Sequence, residues 1–392
     1  MKYLGFFLLL IVSTFYSCKT TMYDSMPGRI NIENPSGAFS LSDVFRIEGF
    51  TRLRTGDTQG TDRFREASKI IFKDDRAIVF DNGSDFQNIW VFDQKTGSNM
   101  LRFEHPFRSR EMGDIDIDHS GGLCALVAGK RSFYNYTPDG SLQSTLPNGV
   151  IGDGLACLPG GGYLVYNEYS ATDISGYNQL LFYDNKGNLL KRLYPYPEAL
   201  DNYGNGLSGF VSKSDNSVWF SPPFCDTVYE IKNFDLIPKY TFDFGAGAVP
   251  EETRRRKISG WDVHENAYLT ETFIKTGHYL VFDYFKDHKM NIGFYDEKSG
   301  KFYKFSDASN DYLSGLLKYG RLFPRDQNTF AFYLTAPQLN SLINKNAIDM
   351  SGLVQHYPEL HDLLKNIDPS ANKDPLLLYL SFKSGYDKQY NR

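Results

Sequence analysis

The sequence predicts an all-β fold, a six-bladed β-propeller with four strands in each blade. Three observations predict it. The composition, with 31 Phe, 27 Tyr and 34 Gly, suits many short strands joined by tight turns. A strand–turn–strand unit recurs along the chain at blade-like spacing. A strand near the N-terminus can supply the one strand that the last unit lacks.

The recurring unit is an apolar aromatic strand followed by a polar turn. It appears at Ile89–Asp93 before Gly97, at Phe133–Tyr136 before Asp139-Gly140, and at Leu181–Asp184 before Gly187. It returns at Val228–Ile231 and at Ile292–Asp296 before Gly300, and Leu376–Phe382 is a sixth strand of this type. With Asp93, Thr137, Asp184, Lys232 and Asp296 taken as equivalent, the spacings are 44, 47, 48 and 64 residues. Four-stranded blades run roughly 40–50 residues, so the longer interval implies an insertion. A second hairpin precedes each unit, turning at Ser120-Gly-Gly122, Pro159-Gly-Gly-Gly162, Asp215-Asn216 and Thr276-Gly277. These residue types tolerate positive φ. Phe45–Leu53, lying before the first complete unit, is expected to become the outer strand of the last blade. That closure removes the open sheet edge.

One segment departs from strand patterning. Over 337–367, Leu339, Leu342, Ile343, Leu360, Leu363, Leu364 and Ile367 recur at helical spacing. Thr335-x-x-Gln338 reads as a capping box, and Pro358 suits a first helical turn. As a connection between second and third strands, this insertion is expected on the face that carries the blade-to-blade connections. There it should border the channel mouth, with Leu360, Leu363 and Leu364 turned to the propeller.

The N-terminus reads as a targeting segment. Lys2 is its positive region, and Leu4–Val12 is apolar apart from Gly5 but too short to span a bilayer. Ser17 before Cys18 resembles a lipobox, which implies diacylation of the Cys18 thiol; Phe15 and Tyr16 depart from the usual Leu and small residue. The alternative is an ordinary secretory signal. The expected organisation is a signal peptide over 1–17, a flexible tether over 18–38 and the propeller over 39–392. Cys124, Cys157 and Cys225 remain; Cys124 and Cys157 sit in apolar runs that suit small core residues, and a disulfide between them is an open alternative.

Net charge is −5, so there is no basic excess for nucleic acid. The run Arg254–Lys257 reads as a solvated loop. Asp114, Asp116 and Asp118 alternate with Ile115 and Ile117, which says strand; His119 and Ala125 stand where a calcium loop needs Gly and Glu. Trp261-Asp262 occurs once and does not make a WD repeat. Neither a nucleophile elbow nor a phosphate loop is present, and no metal or cofactor is expected.

Four stretches carry a family resemblance: the segment ending at Cys18, Arg110–Asp118, Cys225–Ile231 with Pro238–Gly245, and Lys373–Lys383. Together they resemble the six-bladed β-propeller lipoproteins of Bacteroidetes, a family of unknown function related in shape to NHL and TolB-like propellers. Phe107–Glu111 departs from the family's Gly-rich loop. The resemblance implies the fold and the lipid anchor and brings no catalytic residues.

The connections expected at one mouth of the channel supply Arg108, Glu111, Arg131, Glu168, Tyr203 and Trp261 as candidate ligand contacts. Mixed charge beside aromatic rings suits a carbohydrate or peptide. The leading expectation is a monomeric binding or scaffold module tethered to the outer membrane, on the periplasmic side rather than the cell surface. Its partners are the membrane, through the lipid, and a glycan, peptide or envelope protein. The alternatives are a propeller enzyme (a metal-assisted lactonase or a carbohydrate-active hydrolase or lyase) and a structural subunit of an envelope complex.

Overall fold

The computed structural model describes residues 28–37, 39–56, 64, 66–82, 87–103, 111–118, 120–203, 211–214, 217–257, 265–309, 311–317 and 320–383. Six four-stranded antiparallel sheets form the propeller. The first blade is β4 (Ala67–Lys73), β5 (Arg76–Asn82), β6 (Gln87–Asp93) and β7 (Asn99–Phe103). The second is β8 (Met112–Ile117), β9 (Leu123–Val127), β10 (Ser132–Tyr136) and β11 (Leu142–Pro147). The third is β12 (Gly154–Cys157), β13 (Tyr163–Tyr166), β14 (Asn178–Tyr183) and β15 (Leu189–Pro195). The fourth is β16 (Val211–Ser214), β17 (Ser217–Phe220), β18 (Thr227–Lys232) and β19 (Asp235–Asp243), and the fifth is β20 (Tyr268–Thr276), β21 (Tyr279–Lys286), β22 (Lys289–Asp296) and β23 (Lys301–Lys304). In the sixth, β25 (Arg321–Pro324), β26 (Thr329–Leu334) and β27 (Leu376–Phe382) are completed by β3 (Phe45–Arg52).

The apolar runs follow from this stacking. Blades pack face to face, so middle strands such as Ile89–Phe92 and Leu180–Tyr183 are buried on both faces and carry no polar alternation. Outer strands such as Leu189–Pro195 alternate, with one face in water. The repeated aspartate has a structural reason too. The Asp93 carboxylate accepts the N–H groups of Lys95 and Thr96 (3.0 and 2.7 Å), and Asp184 accepts those of Lys186 and Asn188 (both 2.8 Å). Each closes the turn between third and fourth strands.

Closure by the N-terminal strand is as expected. β3 pairs antiparallel with β27 from Leu376↔Arg52 to Phe382↔Phe45. The Phe45 ring lies 4.9–5.6 Å from those of Phe382, Phe294, Phe305 and Phe330, which locks the strand into the seam between the fifth and sixth blades.

Two expectations need correction. The tether does not extend to residue 38. β1 (Arg29–Asn31) adds a fifth, parallel strand to the outer edge of the fourth blade, against Thr241–Asp243. Ile30 and Ile32 are buried there, and Arg29 pairs with Asp243 at 2.8 Å. Covering the exposed edge of β19 outweighs chain entropy. The short β2 (Phe39–Ser40) then pairs with β24 (Ala308–Ser309). Residues 18–27 lie outside the described residues.

The second correction concerns the insertion. It forms the helices Ala336–Asn344, Met350–His356 and Pro358–Lys365, the first opened by the Thr335–Gln338 capping box. Leu360 and Leu364 are buried and Leu363 is half-buried, as the stripe predicts. Yet the stripe packs with Leu313, Leu316 and Leu317 into the core of the fifth and sixth blades. The Tyr357 hydroxyl accepts the N–H of Ile47 on β3, the outermost strand (3.1 Å). No residue of the insertion lines the channel cavity. The helices cover the outer part of the sixth blade because that is where apolar surface is left uncovered. Among the described residues, no helix is long and apolar enough to cross a membrane.

Candidate functional site

The innermost strands of all six blades enclose a channel cavity of 970 Å³. Edge strands leave N–H and C=O groups facing their neighbours, and those groups need partners. Side chains of adjacent blades supply them. Asp114 Oδ2 accepts the Leu155 N–H (2.7 Å), and Asp116 Oδ2 accepts the Cys157 N–H (2.6 Å). Both acids stand on β8 and reach the third blade.

Two lysines complete this lattice. Lys69 of the first blade pairs with Asp114 (2.7 Å) and donates to the Leu155 carbonyl (3.2 Å). Lys213 of the fourth blade pairs with Asp116 (2.9 Å) and donates to the Ile117 carbonyl (3.1 Å). Four consecutive blades are thereby joined beside the axis. Burial works to lower the pKa of Lys69, but the carboxylates of Asp114 and Asp116 outweigh it and hold the group above its ordinary value. Elsewhere around the ring, Ser212 donates to the Phe273 carbonyl (3.0 Å), Thr276 to that of Gln327 (2.9 Å) and Arg321 to that of Ala67 (3.3 Å). The strand acids are structural, as their alternation with Ile115 and Ile117 indicates. Asp118 instead caps the turn, accepting the N–H groups of Ser120 and Gly122 (2.8 and 2.9 Å).

Of the six candidate contacts, Arg108 and Trp261 lie outside the described residues. The other four stand on the face of the blade-to-blade and second-to-third strand connections, and none touches the cavity directly. Glu111 packs its side chain against Gly129, where an added Cβ would approach it to 3.0 Å. Arg131 and Glu168 occupy the left-handed backbone region, at φ 49° and 46°, and Phe224 follows at φ 58°. These are the second-to-third strand connections of the second, third and fourth blades. Holding a non-glycine residue there costs about 1–3 kcal/mol each.

Glu168 reaches the cavity through a neighbour. Its carboxyl lies within hydrogen-bond reach of Asp153, which does line the cavity, and burial holds Asp153 above the ordinary carboxyl range. Tyr169 stands beside them, with Tyr196 and Tyr203 at ring distances of 5.1 and 5.5 Å. Tyr203 also packs against the cluster of Phe224, Val249, Tyr268 and Phe285 from the neighbouring blades. The result is a continuous aromatic wall from the third blade to the fifth.

Sequence reasoning missed the polar atoms behind this wall. Asn167 Oδ1, Gln179 Oε1, Tyr196 OH and Ser221 Oγ are buried without a hydrogen-bond partner. Such orphans are uncommon and call for a ligand or water. Lys69 and Lys213 were missed as well, although a lone charge within an inner-strand run was a visible signal. Among the described residues, no group of three or more His, Cys, Asp or Glu is placed to hold a metal ion.

The arrangement offers acceptors, a carboxyl pair and tyrosine faces at one mouth of the 970 Å³ channel cavity. The two carboxyls are in contact, closer than the roughly 5–9.5 Å separations used by glycoside hydrolases. This geometry suits holding a polar ligand better than cleaving a glycosidic bond.

No protein of curated function matches the sequence. Among solved structures, a putative exported protein from Bacteroides fragilis superposes with a TM-score of 0.69 at 15% identity, covering 91% of this chain and 99% of that one. A DUF4221 family member from Bacteroides vulgatus gives 0.49 at 7% identity, covering 86% and 98%. Virginiamycin B lyase from Staphylococcus aureus gives 0.42 at 12% identity, covering 74% and 81%. The first of these likenesses shows the fold, and none transfers an activity. The family described as a domain of unknown function, DUF4934, matches residues 63–375, nearly the whole ring, and the chain belongs to that family.

Proposed function

We propose that this chain is an exported lipoprotein, acylated at Cys18 and held at the outer membrane as a non-enzymatic binding module. Its ligand is a carbohydrate or a peptide that enters the mouth formed by the blade-to-blade connections. The observation that carries this reading is the aromatic wall of Tyr169, Tyr196, Tyr203 and Phe224 beside the Glu168–Asp153 carboxyl pair at one mouth. Arg131, Glu168 and Phe224 hold left-handed backbone in three successive blades, beside the partnerless acceptors of Asn167 and Gln179. Tyrosine faces with side-chain amides and a carboxyl pair fit the alternating apolar and hydroxyl surfaces of a sugar. The placement on the periplasmic side rests on the segment after Cys18, where Lys19 stands in place of an acidic run.

Calorimetric titration against a panel of envelope oligosaccharides and peptides tests the ligand. Tyr203→Ala and Glu168→Gln are expected to weaken the bound member at least tenfold, or about 1.4 kcal/mol. Full affinity in both variants would move the site away from this mouth. The anchor is tested separately. Cys18→Ser is expected to abolish labelling by a fatty-acid probe and to move the protein to the soluble fraction. A variant that stays labelled and membrane-bound would exclude Cys18 as the attachment point, and protease shaving of intact cells reports the side.

A further inference from the structure

We propose that Cys124 and Cys157 are joined by a disulfide in the exported protein, stapling the second blade to the third. Both residues are positioned by Asp116, one through the strand register and the other through its carboxylate. Cys124 on β9 is the register partner of Asp116 on β8. Cys157, the last residue of β12, donates its N–H to the Asp116 carboxylate at 2.6 Å. The two thiols, unlinked in the structure, pack into one cluster and lie close enough to interact.

Their surroundings favour a fixed pair over a reactive one. Both thiols are buried, at 1% and 4% exposure, among Phe133, Leu155, Tyr163 and Tyr183. Both belong to strands paired along their length, so neither sulfur can drift away. Cys225, the third described cysteine, sits apart in the fourth blade beside Asp226 and Arg254. The odd count therefore resolves into one pair and one buried single thiol.

Burial pushes the Cys124 thiol well above its ordinary value, which leaves almost no thiolate in the folded protein. The bond therefore forms as the chain folds, before the core closes. The oxidant is a disulfide met after export. A thiolate from one cysteine attacks that disulfide, forming a mixed disulfide and releasing one thiol. The second cysteine's thiolate then attacks the mixed bond at the protein sulfur and releases the other thiol. Two protein thiols become one disulfide while one oxidant disulfide becomes two thiols. The cross-link spans residues 124–157 and restricts the unfolded chain.

Two preparations of the full chain test the pairing. One is purified from the cell envelope without reductant. The other is reduced and unfolded in denaturant, then refolded with a reduced and oxidised glutathione couple. After alkylation and proteolysis, both are expected to yield the Cys124 peptide linked to the Cys157 peptide, with Cys225 alkylated. Reduction should lower the melting temperature of the parent and leave that of a Cys124→Ser/Cys157→Ser variant unchanged. Alkylation of both cysteines in both preparations, or a link to Cys225, overturns the pairing itself. A link in the refolded protein but not in the envelope preparation overturns the proposal through its other premise, export to an oxidising compartment, which belongs to the reading above.

Discussion

A chain lacking residues 39–53 is expected to lose the cooperative fold and to aggregate. The deletion removes β3, the strand that covers the outer edge of β27. Phe39, Leu41, Val44, Phe45, Ile47 and Leu53, all buried, leave with it. Each contributes about 1.5–3 kcal/mol of burial. The loss therefore matches or exceeds a typical domain stability of ~5–15 kcal/mol. The bared edge then pairs between molecules. Phe45→Ala provides a graded version, because it keeps the strand and removes only the ring packed among Phe382, Phe294, Phe305 and Phe330. A loss of about 3–5 kcal/mol is expected from that change. Urea unfolding measures the point variant, and light scattering with circular dichroism reads the deletion. A monomeric truncated chain that melts like the parent would refute closure by the N-terminal strand.

Asp114→Ala is expected to cost about 3–5 kcal/mol, the range for removing one partner of a buried ion pair. Lys69 loses its carboxylate and the N–H groups of Leu155 and Ile115 lose their acceptor. Asp116→Ala should cost less. Its partner Lys213 is more than a third exposed, so water screens that charge and the main loss is the Cys157 N–H, about 1–3 kcal/mol. The order of the two variants is the informative result. Equal losses would mean that the lattice around the channel acts as one unit, without regard to exposure.

The Asp114 effect also carries a pH signature. Lys69 is held above its ordinary value of 10.5. A cationic group raised in the folded state contributes stability that is complete below that value and is lost as pH rises through the folded one. The Lys69 part of the difference between parent and Asp114→Ala should therefore be full at neutral pH and should shrink in strongly alkaline solution. Burial holds the Asp114 carboxyl above its ordinary range, so a change at mildly acidic pH reports Asp114 itself, whereas a difference that persisted unchanged into strongly alkaline solution would show that Lys69 does not carry the effect.

Much of the ring was legible because a propeller writes its period into the chain. The aspartate that closes each turn, as at Asp93 and Asp184, recurs because the same hairpin recurs. The continuous apolar runs recur because every middle strand is buried on both faces. The candidate site was legible only by face. Glu111, Arg131, Glu168 and Tyr203 could be assigned to the connection side by strand order alone. Which of them approach the cavity depends on Asp153, which meets Glu168 only once the strands are paired. Arg131, Glu168 and Phe224 gave no sign of left-handed backbone, since none is a residue type that favours it.

The sequence by itself determined the blade count, the N-terminal closure, the helical insertion and its apolar stripe, because these depend on local periodicity and on pairing within a hairpin. Tertiary structure alone decided where that stripe docks, since a stripe of leucines records that it will be covered and not by what. It also decided that Arg29–Asn31 is a strand. Three residues carry too little pattern to announce pairing with an edge more than two hundred positions away. The same holds for the lattice of Lys69, Asp114, Asp116 and Lys213 and for the meeting of Cys124 with Cys157. Each joins residues from different blades, and only ring closure brings such residues within bonding distance.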